Sequence, residues 1–132
     1  MKAIGARGRS WGLRRSERGS GTVLVLGLTA VTVMLSFAAL CIAGYLVAAH
    51  RAKAAADLGA LAAAGAVATG ADACSAARVS VAQNRARVGD CAVVGDRQDF
   101  VVSLTAVVTL RAIVPGLPTA VTAKAYAGSA PS

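Results

Sequence analysis

The sequence predicts an α+β protein with a long N-terminal transmembrane helix, a second short helix and a small antiparallel β-sheet. Residues 19–49 carry no charged side chain, residues 48–68 are dominated by alanine, and the C-terminal third alternates apolar and polar residues. A helix needs ~20 apolar residues to cross a bilayer, alanine is the best helix former, and alternation is typical of half-buried strands. The chain therefore divides into a basic tail (1–18), a transmembrane helix (19–49), an Ala-rich helical stalk (50–70) and a small αβ domain (71–132).

Composition and charge placement favour a membrane protein with an exported domain. Hydrophobic residues make up 56% and charged residues 15% of the chain, against ~45–50% and ~25% in ordinary soluble domains. The tail holds six Lys/Arg and one Glu, whereas only Arg51 and Lys53 closely follow the apolar run. The positive-inside rule then puts the N-terminus in the cytoplasm and residues 50–132 outside the cell membrane, with a single pass.

Two other interpretations of the N-terminal region remain open. The apolar part of a cleaved secretory signal has ~7–15 residues, about half the length of residues 23–49, so length favours a retained anchor. Cleavage by signal peptidase near residue 49, after Ala48 and Ala49, would instead release a small soluble binding factor. The basic tail could be a nucleic-acid arm, but an Arg-rich stretch beside an apolar span is typical of a topology signal. We therefore expect the lipid bilayer, and no nucleic acid, as a partner.

The residues after the span predict a continuing helix and then a second one. Alanine content extends the first helix to near Ala68, and Thr69-Gly70-Ala71 ends it. Asp72 is a good N-cap for a helix over residues 73–88, because its carboxylate can accept exposed N–H groups, and Gly89 is a natural C-terminal cap. The apolar face of this helix is predicted to consist of Cys74, Ala77, Val81 and Val88.

The remainder predicts strands separated by turns. Residues 91–94 form a short strand, Gly95-Asp96 is a turn signal, and residues 99–111 and 120–127 alternate on either side of a break at residues 115–118. The inward positions are predicted to be Phe100, Val102, Leu104, Ala106, Val108 and Leu110 in the first alternating segment, and Val121, Ala123, Ala125 and Ala127 in the second.

The cysteines indicate one disulfide on the exported side. Cys74 and Cys91 would close a loop of about 17 residues, which is worth roughly 3 kcal/mol in the chain-entropy model. The alternative is a pair of reduced, buried cysteines. Cys41 lies in the apolar run and is interpreted as a small apolar residue.

No residue pattern predicts a catalytic, cofactor-binding or metal site. His50 is the one histidine, and no nucleophile, base and orienting group can be assembled around it. Asp90, Asp96 and Asp99 surround a turn but lack EF-hand spacing. The chemistry therefore favours a non-enzymatic module with no cofactor. In the span, the small residues predicted to let a second copy of the helix pack closely are Ser36, Ala39 and Ala43.

Three stretches, taken together, resemble the TadE/TadG-like family of Flp pilus assembly. Residues 17–24 resemble the start of such proteins, and residues 50–62 resemble the stretch after the membrane helix of TadG-type sequences. Cys74, Asn84 and Cys91, with the strands beyond, are similar to the small actinobacterial TadE-like proteins encoded near a helicase and a Tad-type secretion locus. The resemblance covers about residues 17–127. The residues of its stalk motif are Ala55, Ala56, Asp57, Leu58 and Leu61.

This resemblance implies a pilin-like arrangement and an accessory membrane role in an apparatus that assembles pili or exports proteins. The implied partners are Tad/Flp pilus or secretion proteins, and no enzymatic activity is implied. In pilin-like relatives a peptidase cuts after a glycine, which corresponds to the bond between Gly19 and Ser20 here. A glutamate five residues later assists assembly in those relatives, but this chain has Leu24 there. The departure favours an accessory component over a major pilin.

Overall fold

The computed structural model describes residues 19–111 and 115–129. Its elements are α1 (Ser20–Thr69), α2 (Ala73–Gln83), β1 (Arg87–Gly95), β2 (Phe100–Thr109) and β3 (Ala120–Gly128). The predicted α+β arrangement is confirmed: a long apolar N-terminal helix precedes a short helix and a three-stranded antiparallel sheet. The tail assigned to residues 1–18 lies outside the described residues. The chain divides into two compact units between Ala39 and Leu40, and each is described by itself.

The described part of the first unit is helical and exposed. Every residue from 21 to 39 belongs to α1 and is exposed to solvent. Large apolar side chains are included, for example Leu24 at 70% and Met34 at 75% of full exposure. This part of α1 therefore contributes nothing to a protein core.

The second unit has a single core between the Ala-rich part of α1, α2 and the sheet. Alanine content predicts a helical stalk for residues 50–70, and the structure shows a helix that continues to Thr69 with one side buried. Val102 and Leu104 on β2 and Val81 on α2 are the largest fully buried side chains. The buried alanines that α1 contributes to this core are Ala48, Ala52, Ala55, Ala56, Ala60 and Ala63.

The sheet has the order β1-β2-β3, with both strand pairs antiparallel. Its central strand, β2, shows the predicted alternation, because Phe100, Val102, Leu104, Ala106 and Val108 are all buried. Leu110 lies just beyond β2 and is half-buried against the core. In β3, Val121 and Ala125 are buried, whereas Ala123 and Ala127 are half-buried. One apolar face of the sheet thus covers the helices.

Gly59 lets α1 approach the sheet closely. A Cβ atom added there would lie 2.6 Å from Val81 Cγ2 and nearer still to Leu104 Cδ2. Real Cβ atoms do not approach neighbours so closely, since packed atoms in protein interiors are at van der Waals distance. A glycine at this position and small alanines around it therefore set the spacing between helix and sheet.

The end of α2 differs from the sequence prediction. The helix ends at Gln83, Asn84 is its C-cap, and Arg85 adopts a left-handed conformation with φ 54°. The Asn84 side chain donates to the Ser80 carbonyl at 3.1 Å. The prediction that Gly89 ends the helix is wrong, because Gly89 lies inside β1 at a register shift between Val88 and Asp90.

The strand boundaries also differ slightly from their predictions. β1 begins at Arg87, not at residue 91, because Arg87 and Val88 already pair with β2. β2 ends at Thr109, two residues before the predicted end, and β3 extends one residue further, to Gly128.

Candidate membrane-anchoring helix and disulfide site

The apolar part of α1 meets the length and composition requirement for crossing a membrane. In the part of the chain that the structure describes, α1 is the one helix that does so, and its most apolar window is 0% buried. The core helix of a soluble domain would be mostly buried, so exposure distinguishes this window of α1 from such a helix. A long apolar helix near the N-terminus is compatible with a single-pass membrane protein and also with a signal sequence.

Hydroxyl groups within this apolar segment are paired with the helix backbone. Thr29 Oγ1 donates to the Val25 carbonyl at 2.6 Å, and Thr32 Oγ1 donates to the Leu28 carbonyl at 2.8 Å. Ser36 Oγ donates in turn to the carbonyl of Thr32 at 2.8 Å. An unpaired polar group in hydrocarbon costs several kcal/mol. These side chains satisfy that requirement without water or a partner.

The predicted processing and helix-packing residues all lie on or beside α1. Gly19 immediately precedes the helix, is exposed, and its carbonyl accepts a hydrogen bond from Thr22 Oγ1 at 3.1 Å. Ser20 is the first helical residue. Ser36, Ala39 and Ala43 are exposed, so their small side chains are at the surface of the helix.

The stalk motif is divided between the two sides of α1. Ala55 and Ala56 are fully buried against the core, whereas Asp57 is exposed and Leu58 and Leu61 are 48% and 63% exposed. The larger apolar side chains of the motif thus face away from the core. The structure does not bring these five residues together into one site.

The predicted disulfide between Cys74 and Cys91 is present. Cys74 is the second residue of α2, and Cys91 lies in β1 with its Cα atom 5.9 Å from that of Cys74. Helix α2 begins where predicted, because Asp72 Oδ1 accepts the Ser75 backbone N–H at 2.8 Å. The bridge fastens this capped helix to an edge strand of the sheet.

A polar turn joins β1 to β2. Asp96 Oδ1 accepts the backbone N–H groups of Asp99 and Gln98, both at 2.9 Å. These two hydrogen bonds, that of Asp99 first, hold the pKa of the Asp96 carboxyl below its ordinary value. Gly95 supplies the positive φ of 108° that the turn requires.

Sequence reasoning missed an apolar groove at the other end of the sheet. The groove has a volume of about 450 Å³ and lies between residues 40–46 of α1 and the β2–β3 connection. Its lining residues include Leu40, Cys41, Tyr45, Leu110, Arg111 and Leu117. The sequence feature that could have indicated this groove is weak. It is the low charge of the connection from Leu110 to Pro118, which carries a single charged residue, Arg111.

The residues that the structure describes form no candidate metal centre. Within residues 19–111 and 115–129, no three His, Cys, Asp or Glu side chains lie close enough to hold a metal ion. His50 is exposed on α1, and Cys41 is a free, half-buried thiol. The features that the structure does show are an exposed apolar helix segment and a disulfide within a small αβ unit. No protein-family model, curated protein or solved structure matches this chain.

Proposed function

We propose that this chain is a non-enzymatic, single-pass membrane protein that serves as a pilin-like accessory component of a Flp/Tad-type pilus assembly or secretion apparatus. One observation carries the proposal. Helix α1 presents apolar side chains on all sides over residues 21–39 and then buries an alanine face in a small αβ unit. Such a helix can both anchor a protein in lipid and form part of its exported domain.

The exposed apolar residues need a non-aqueous environment. Soluble monomers rarely expose a contiguous apolar patch larger than a few hundred Å², yet residues 21–40 are exposed without a single charge. Twenty such residues match the ~30 Å hydrocarbon thickness at 1.5 Å per residue. A bilayer would cover the apolar side chains along this whole length of helix and on all of its sides.

The disulfide supports an extracytoplasmic position for the second unit. Disulfides persist in oxidising compartments and are rare in the cytosol. The bridge between Cys74 and Cys91 therefore agrees with the orientation that the six basic residues of the tail favour. Two independent features, charge and redox chemistry, support the same topology.

An accessory role fits the N-terminal residues better than polymerisation as a major pilin. A glutamate inside the bilayer can neutralise the new N-terminal amine of a neighbouring subunit, where an unpaired charge is costly, and Leu24 cannot. The exposed small residues Ser36, Ala39 and Ala43 offer instead a surface on which a second α1 or another membrane helix would pack.

Release by signal peptidase near residue 49 would conflict with the packing of α1. Ala48 is 5% exposed and belongs to the core, so cleavage there would remove a core residue. It would also remove the α1 side of the apolar groove. Release of a secreted factor is therefore the alternative that the following experiment distinguishes from membrane anchoring.

The proposal is tested by fractionation, N-terminal sequencing and reporter fusion on the full chain. We expect the protein in the membrane pellet, an active alkaline phosphatase fused after Ser132 and a dark fluorescent protein at the same position. In-membrane crosslinking should capture a Tad/Flp component. A fragment in the medium that begins near residue 50 would establish the secreted alternative. A C-terminus in the cytosol, or crosslinks that yield monomer alone, would contradict the proposal.

A further inference from the structure

We propose that the described residues of the β2–β3 connection, 110–111 and 115–119, form a membrane-surface loop that inserts apolar side chains such as Leu117 at the headgroup boundary, beside residues 40–46 of α1. The second unit would then rest on the bilayer at two points, the helix and this loop. The inference rests on the proposed function, since it requires α1 to span the membrane.

The first argument is the position of the loop along α1. The loop and residues 40–46 of the helix line one apolar groove, and those residues belong to the uncharged run. The first full charge of α1 is Arg51, six residues after Tyr45, or about 9 Å along a helix. The loop therefore lies beside uncharged residues of α1 that precede the first charge of the helix.

The second argument is the chemistry of the loop. Leu117 is 51% exposed, Pro118 is exposed, and Tyr45 opposite them is 47% exposed. Tyrosine is enriched at membrane–water interfaces, because its ring is apolar and its hydroxyl is polar. Arg111, also exposed, can bury its aliphatic stem and donate to a lipid phosphate.

The third argument is the contrast between the two ends of the sheet. The β1–β2 turn carries Asp96, Arg97 and Asp99, and the Arg97 guanidinium lies beside Gly70, just past the C-terminal end of α1. The β2–β3 connection lies beside residues 40–46 instead and carries a single charge. The unit thus has a charged end and an apolar end along the axis of its own helix segment.

These observations favour lipid over a protein as the occupant of the apolar end. The helix residues that line the groove, 40–46, directly follow the proposed span in the sequence. Under the proposed function, lipid therefore surrounds the residues just before them. Apolar residues inserted ~5–10 Å into the headgroup and acyl boundary, with an accompanying cation, are the usual features of interfacial binding.

Tryptophan fluorescence in brominated lipid tests the inference on the full chain. Trp11 is the one tryptophan, so the parent variant is W11F, reconstituted in vesicles of phosphatidylcholine and phosphatidylglycerol. Three probes are compared: L117W in the loop, V94W at the opposite end of the sheet, where Val94 is 72% exposed, and F37W in the proposed span. Retention of the Cys74–Cys91 bridge, seen by non-reducing electrophoresis, checks that each variant is folded.

We expect L117W to lose emission when bromine is placed near the headgroup and to lose less when it is near the chain end. F37W should lose emission in both lipids, and V94W should keep its emission in both lipids. If L117W behaves like V94W while F37W is quenched, the loop inference is wrong and the anchor stands. If none of the three is quenched, α1 does not span and the proposed function fails. Shielding of L117W from aqueous acrylamide without bromine quenching would mean that protein covers the loop, which also overturns the inference.

Discussion

The close contact at Gly59 predicts opposite effects for the same substitution at two positions of α1. Replacing a mid-helix glycine by alanine ordinarily stabilises by ~0.5–1 kcal/mol. At Gly65, where an added Cβ meets nothing within 4 Å, we expect that full gain for G65A. At Gly59 the added methyl would press on Val81 and Leu104, both fully buried, and overpacking costs about 1–3 kcal/mol. Because helix propensity is common to both, G59A should be less stable than G65A by about 1–3 kcal/mol.

Hydrogen exchange of the β2 amides in the full chain, solubilised in a non-ionic detergent, measures this difference. Each 1.4 kcal/mol of opening free energy changes the exchange rate about tenfold. A second comparison isolates the contact: L104A alone should cost about 2–5 kcal/mol, and less in the G59A background, because the new methyl fills part of the cavity. Equal or greater protection in G59A than in G65A would refute the proposed close approach of helix and sheet.

Three further predictions concern the polar and covalent features of the second unit. The double variant C74S/C91S should lose about 3 kcal/mol of unfolding free energy, measured by exchange in β1, whereas C41S should change this protection little. D72A should lose about 1 kcal/mol in α2, and an unchanged exchange rate there would contradict the capping role. NMR titration should give Asp96 a pKa below the ordinary ~3.9, because two N–H groups stabilise its charged form; the turn's contribution is then fully present above that ordinary value and lost as pH falls through the lower folded pKa. A midpoint at or above the ordinary value would disprove it.

The features that the sequence predicted well are those in which one local signal dominates. Alternation in β2 gave its buried face, because a one-sided sheet forces apolar residues to every second position. Asp72 predicted the start of α2, since an aspartate after a break satisfies exposed N–H groups. The disulfide could be predicted because two cysteines remain once Cys41 is assigned to the apolar run.

The end of α2 could not be predicted, because two residues carry competing signals. Gly89 resembles a helix C-cap, but glycine is also common at irregularities of strands. In the structure it sits at a register shift of β1, with a notional Cβ 3.1 Å from Val107 Cγ2. Arg85 adopts the left-handed conformation instead, and arginine is not a residue type that predicts this conformation after a helix.

The buried side of the Ala-rich helix could not be predicted from the sequence either. Apolar periodicity normally places the largest side chains inside, which would bury Leu58 and Leu61. Both are exposed, and alanines face the sheet. Alanine is abundant on every side of this segment, so the alanine pattern does not indicate which face of the helix is buried. The apolar groove was missed for a related reason, because it joins residues about 70 positions apart.

The alanine face of α1 also bears on the thermodynamics of ordering. A buried leucine loses ~0.5–1 kcal/mol of rotamer freedom and a lysine up to ~2, whereas alanine loses none. Six of the side chains that α1 contributes to the core are alanines, so docking the helix freezes almost no torsions on its own side. The low entropy cost of ordering these alanines thereby offsets the modest apolar area that each methyl group buries. The helix can also pack on the sheet in one arrangement without selecting among side-chain rotamers.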